Sequence, residues 1–61
     1  MSATLQEQIA CVSREIHMRE HVYPRWVQAK KMSQNKADYE LQTMREVLYS
    51  LTKLQTQEMG T

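Results

Sequence analysis

Phenylalanine is missing from this chain, and glycine, proline, cysteine and tryptophan each occur once. Each scarcity excludes something. A lone Cys11 leaves no disulfide within one chain, and a single thiol fits a reducing compartment. A lone Gly60 leaves no glycine-rich phosphate loop. Neither G-x-S-x-G nor C-x-x-C occurs. No apolar run approaches the ~18 residues of a transmembrane helix. No charged segment leads into an apolar signal-peptide core, so a cytoplasmic location is the expectation. Charge of one sign is lacking too. The net charge is +1, which gives no strong field toward nucleic acid or anionic membrane.

What remains is helix-forming. Gln, Glu, Met, Leu and Ala dominate, and alternation of period two is absent. Sixty-one residues make one domain at most. A chain this short buries only about 60% of its unfolded surface, so its own core is marginal. With disulfides excluded, self-association is the expected staple.

The spacing predicts a first helix over about 4–31. Thr4-Leu5-Gln6-Glu7 fits a capping box. Leu5, Ile9, Val12, Ile16, Arg19, Tyr23 and Trp26 then follow at heptad spacing, with Arg19 as the polar exception. Pro24 falls inside this run. It either ends the helix or kinks it. The seam stays in phase across it, which favours a kink. A second helix is expected over about 34–58, with Ser33 as N-cap and the seam Ala37, Leu41, Met44, Leu48 and Leu51. Val47 and Leu54 widen that stripe, and Gly60 is a stop signal.

The two seams match in an antiparallel hairpin bent near Met32. Trp26 should then lie by Ala37, Tyr23 by Leu41, Arg19 by Met44, Ile16 by Leu48, Val12 by Leu51 and Ile9 by Leu54. The expected fold is all-α: a helical hairpin, residues 1–61, with a Pro-kinked first helix. A hairpin alone leaves its stripes exposed, so two should pack into a four-helix dimer.

Candidate chemistry is thin. His17-Met18-Arg19-Glu20-His21 matches H-x-x-E-H, which on a helix puts both imidazoles on one face, as zinc needs. A peptidase also needs a third ligand and a cleft, and a hairpin this small offers neither. His17 and His21 are therefore expected to be exposed and metal-free. Cys11 is expected as a partly buried apolar residue, with no Lys or His nearby to activate it. Pairs of carboxylates occur only on faces that suit solvent. No catalysis and no cofactor are expected.

The bend is basic. Residues 19–36 hold five bases (Arg19, Arg25, Lys30, Lys31, Lys36) and one acid. Interleaved with Tyr23 and Trp26, they could meet phosphates and stacked bases. Both aromatics fall on the core seam, however, and a helix-turn-helix needs a third helix. Nucleic-acid binding is thus the runner-up. Arg19 should bury its stem and reach an acid such as Glu15 or Glu46, or else select register or partner.

The run Met18-Arg19-x-x-Val22-Tyr23-Pro24-Arg25-Trp26-Val27, then Met32-Ser33-x-x-Lys36-Ala37-Asp38-x-Glu40-Leu41-x-x-Met44, resembles short uncharacterised proteins of bacteriophages and prophages of proteobacteria. The resemblance covers roughly Ile9 to Leu51. Those proteins often carry Gly-Arg or Gly-Lys before the Met, where this chain has Lys30-Lys31. That departure argues against a glycine-made turn and for helix continuing toward Met32. The resemblance transfers no catalytic residue. It implies a small phage accessory protein in a bacterial cytoplasm that binds and modulates a host or phage protein. Host takeover and counter-defence are such roles. A structural subunit of a phage assembly is a further alternative. Arg19, Arg25, Lys30, Lys31 and Lys36 are the expected interaction residues.

Overall fold

The computed structural model describes residues 2–59. Two helices make the fold, α1 at Leu5–Gln28 and α2 at Gln34–Met59, and no strand occurs among the described residues. They pack on each other as a helical hairpin with extents of 47 × 21 × 16 Å. A 26-residue helix spans about 39 Å, so the long axis is essentially one helix length.

The helix starts follow local chemistry. The Thr4 N–H donates to Glu7 Oε1 at 2.8 Å, and the Glu7 N–H donates to Thr4 Oγ1 at 3.1 Å. The expected capping box is therefore closed on both sides. Hydrogen bonding from the Thr4 N–H first, and from the Thr4 side chain second, stabilises the carboxylate and holds Glu7 below its ordinary pKa. In the second helix Ser33 Oγ accepts from the Lys36 N–H at 3.1 Å, and the Ser33 carbonyl accepts from the Ala37 N–H at 3.0 Å. Ser33 is thus the N-cap of α2.

Pro24 lies inside α1 and does not end it. The helix stops instead at Gln28, short of the expected end near Lys31. The Lys30 N–H donates to the Val27 carbonyl at 3.0 Å, and the Lys31 N–H to the Trp26 carbonyl at 2.8 Å. With Ala29 as C-cap, these are the two bonds of a Schellman closure. That motif wants a left-handed residue at the position after the cap. Lys30 supplies it, with φ of 61°. The turn therefore has the geometry of a glycine turn without a glycine. The expectation that Lys30-Lys31 continues the helix is corrected by these bonds. Gly60 lies outside the described residues.

Ile16, Tyr23 and Ala37 are the buried apolar residues. Leu5, Ile9, Val12, Leu41, Met44, Leu48 and Leu51 are half-buried along the seam. Two expected seam positions are exposed. Trp26 remains 44% exposed, and Val27 takes the half-buried place beside it. Leu54 remains 50% exposed, and Gln55 is half-buried instead. The causes differ. For Trp26 it is drift, since an α-helix slips about 20° per heptad against a 3.5-residue repeat. Counting from Leu5, Trp26 ends about 60° behind the stripe, while Val27 is about 40° ahead of it. Leu54 is not on that rhythm: the alternating 4, 3 spacing from Ala37 to Leu51 continues to Gln55, nearly in line with Ala37, while Leu54 is about 100° off. Trp26, expected in the core, is corrected to an exposed flank residue, and Leu54 to the edge of its stripe.

Candidate functional site

Three surfaces carry the residues singled out from the sequence. The first is the bend. Arg25, Lys30, Lys31 and Lys36 are all exposed there. The Schellman closure ends α1 between Arg25 and Lys30, and the Ser33 cap starts α2 before Lys36. The aromatics are not free to stack on bases in the same place. Tyr23 is buried, and Trp26 leans on it with ring centroids 5.8 Å apart and planes tilted by 36°. That geometry is an attractive aromatic pair, not two open platforms.

The second surface is the flank of α1 around Arg19. Arg19 does not reach across to Glu46. Its Nη1 donates to Glu15 Oε1 at 2.7 Å and to the Glu15 carbonyl at 3.2 Å, one helical turn back. The bond to Glu15 holds the Arg19 pKa above its ordinary value, against a smaller opposing effect of burial. Both side chains are about one-third exposed, at 31% and 35%. Next to them, Met18, Val22 and Trp26 recur at spacing four and line a shallow dent with Arg19 and Tyr23. Met18 is 51% exposed. Single-seam reasoning misses this row. The i, i+4, i+8 spacing of Met18, Val22 and Trp26 is the signal that could have found it.

The third surface carries the histidines. His17 Nδ1 lies 3.9 Å from Glu20 Oε1, too far for a hydrogen bond. Glu20 is engaged elsewhere, since its Oε2 accepts from Arg45 Nη2 of α2 at 2.7 Å. The glutamate of the H-x-x-E-H pattern is therefore an interhelix tie. Both His17 and His21 are exposed. Among the described residues no three His, Cys, Asp or Glu groups gather to hold a metal ion. Cys11 is a free thiol and exposed, where partial burial was expected. It sits about 140° around the helix from Ile16, well off the packed stripe.

No family model, no curated protein and no solved structure matches the chain. Among the described residues no helix is long and apolar enough to cross a membrane.

Proposed function

We propose that the hairpin is a non-enzymatic protein-interaction module. Its working form pairs two hairpins into a four-helix bundle, which binds and modulates a host or phage protein. One observation carries this reading. The folded chain exposes 5171 Å². A compact monomer of 7.2 kDa exposes only about 4,100 Å² by the usual scaling with mass. The excess of roughly 1,000 Å² exceeds the ~800 Å² each partner contributes to a specific interface. Catalysis has no comparable support, because Glu7 is held in a helix cap and Glu15 and Glu20 are held in ion pairs. The resemblance to short phage proteins is what makes a bacterial or phage protein the expected target.

In this reading the bend, with Arg25, Lys30 and Lys31 outward, faces the target. The same reading has Pro24 bend α1 at this end, because its ring removes the N–H that would bond the Glu20 carbonyl. The test is capture from bacterial lysate with mass spectrometry, using the wild-type chain and an Arg25→Ala/Lys30→Ala/Lys31→Ala variant as baits. A partner held by the first and lost by the second is expected. Identical capture by both baits would remove the bend from the interface.

A second reading rests on the same four exposed bases. Arg25, Lys30, Lys31 and Lys36 could contact phosphates, giving salt-sensitive binding of nucleic acid. Gel shift at low salt on single- and double-stranded DNA discriminates. No shift would sink this alternative.

A further inference from the structure

The two broad faces of the hairpin differ, and the Glu20–Arg45 pair shows which is which. Measured around the helix axes, Glu20 lies about 40° from Ile16 and Arg45 about 80° from Ala37, in the same rotational sense. In an antiparallel pair, equal senses bring both residues to the same side of the hairpin. The 2.7 Å bond between them agrees. That side is polar. Ser13, Asp38, Thr52 and Thr56 share it and all are exposed.

The opposite sense of rotation gathers four apolar side chains, although Tyr49, 69% exposed, lies about 120° round on the polar side. On α1 it holds Val22 and Trp26, about 120° and 80° from Ile16. On α2 it holds Val47 and Leu54, about 80° and 100° from Ala37. Trp26, Val47 and Leu54 are 44%, 45% and 50% exposed. Half-buried Met44 and Leu51 complete the α2 row, at heptad spacing. The two broad faces thus differ: the Trp26, Val47 and Leu54 side carries more apolar surface than the Glu20–Arg45 side, beside the charges of Glu15, Arg19, Lys36 and Glu40.

We infer that the apolar face, from Trp26 to Leu54, is the seat of a second copy of this chain. The inference rests on the pairing proposed above and adds which face is used. Two observations favour an identical partner. The broad face measures 47 by 21 Å, a footprint on the order of 1,000 Å² where a specific interface takes ~800 Å² per partner. Its charges also come near balance. Glu15 closes on Arg19 at 2.7 Å, Lys36 stands one turn from Glu40, and Glu58 at the far end adds one acid. A surface that meets its own copy cannot carry a large excess of one sign, because like charges would oppose each other across the two-fold axis. The paired arrangement covers Trp26 and leaves Glu20, Arg45 and the bend residues Arg25, Lys30 and Lys31 outside.

Equilibrium sedimentation of the full chain tests this, with Val47→Glu, Leu54→Glu and the opposite-face control Thr56→Glu. Circular dichroism monitors helicity in each. A wild-type dimer is expected. A charge on the apolar face should raise its dissociation constant on the order of 100-fold, because the charge would be buried unpaired. Thr56→Glu should leave it unchanged. A second measurement needs no variant: acrylamide quenching of Trp26 should fall as wild-type concentration rises through the dimer transition. A wild-type monomer at all concentrations overturns the pairing itself. A wild-type dimer with Trp26 quenching unchanged, or one disrupted only by Thr56→Glu, leaves the pairing standing and overturns this face.

Discussion

Lys30 is the position where one substitution should make the hairpin more stable. Its φ of 61° lies in the left-handed region, where a β-carbon crowds the following carbonyl. That costs a residue with a side chain roughly 1–2 kcal/mol. Glycine avoids the cost but loses about 0.5–1 kcal/mol through its looser unfolded chain. Lys30→Gly should therefore stabilise by about 1 kcal/mol. In a domain of this size that raises the melting temperature by about 4–8 °C. Thermal unfolding by circular dichroism, at one fixed protein concentration, reads the shift. Lys30→Ala is the control that removes the charge but keeps the β-carbon, and it should gain nothing. An equal rise in Lys30→Ala would refute the backbone argument and assign the effect to repulsion among Lys30, Lys31 and Lys36. A fall in Lys30→Gly would refute the left-handed turn itself.

Other perturbations give graded outcomes. Thr4→Ala should cost about 1 kcal/mol by opening the capping box, read as a lower urea midpoint. The Glu7 pKa is depressed on folding, so its contribution is present above the ordinary value of 4.5 and is lost as pH falls through the lower folded value. Melting should thus decline in acid, and Glu7→Gln, which keeps the box without a titrating group, should flatten that decline. Arg45→Met should cost less than about 1 kcal/mol, and less still in high salt, since both ends of the Glu20–Arg45 pair are exposed. A larger, salt-independent loss would show that the pair organises the register of the hairpin.

Much of the hairpin was legible in the chain because its starting signals are local. Thr4 with Glu7, and Ser33 ahead of Gln34, act within one turn of backbone, so sequence order alone reveals them. The half-buried seam from Leu5 to Val12 and from Leu41 to Leu51 followed from spacing. Legibility failed where a rule was carried too far or a cause was remote. Trp26 was misplaced because a seven-residue rhythm was extended beyond the distance over which a straight helix keeps it, and Leu54 because it was counted in the seam where that rhythm points to Gln55. The left-handed Lys30 was hidden because lysine gives no conformational signal there; only the backbone bonds to Trp26 and Val27 reveal the turn. The Glu20–Arg45 tie joins residues far apart in the chain, and no local pattern announces it. Of the expected interaction residues, Arg25, Lys30, Lys31 and Lys36 are exposed at the bend, whereas Arg19 is engaged with Glu15.

Among the described residues three are buried, Ile16, Tyr23 and Ala37, and they are not spread evenly. None belongs to the first two turns of α1 or to the stretch of α2 beyond Leu51. The molecule is thus fastened near its turn and only loosely closed at its free ends, like a zipper with its slider at the bend. Amide hydrogens should then exchange in a gradient, fastest near Leu5 and beyond Leu51 and slowest around Tyr23 and Ala37. Proteases should trim the ends before they cut the middle. The contacts nearest the turn also close the shortest loops, so closure should begin there and run outward.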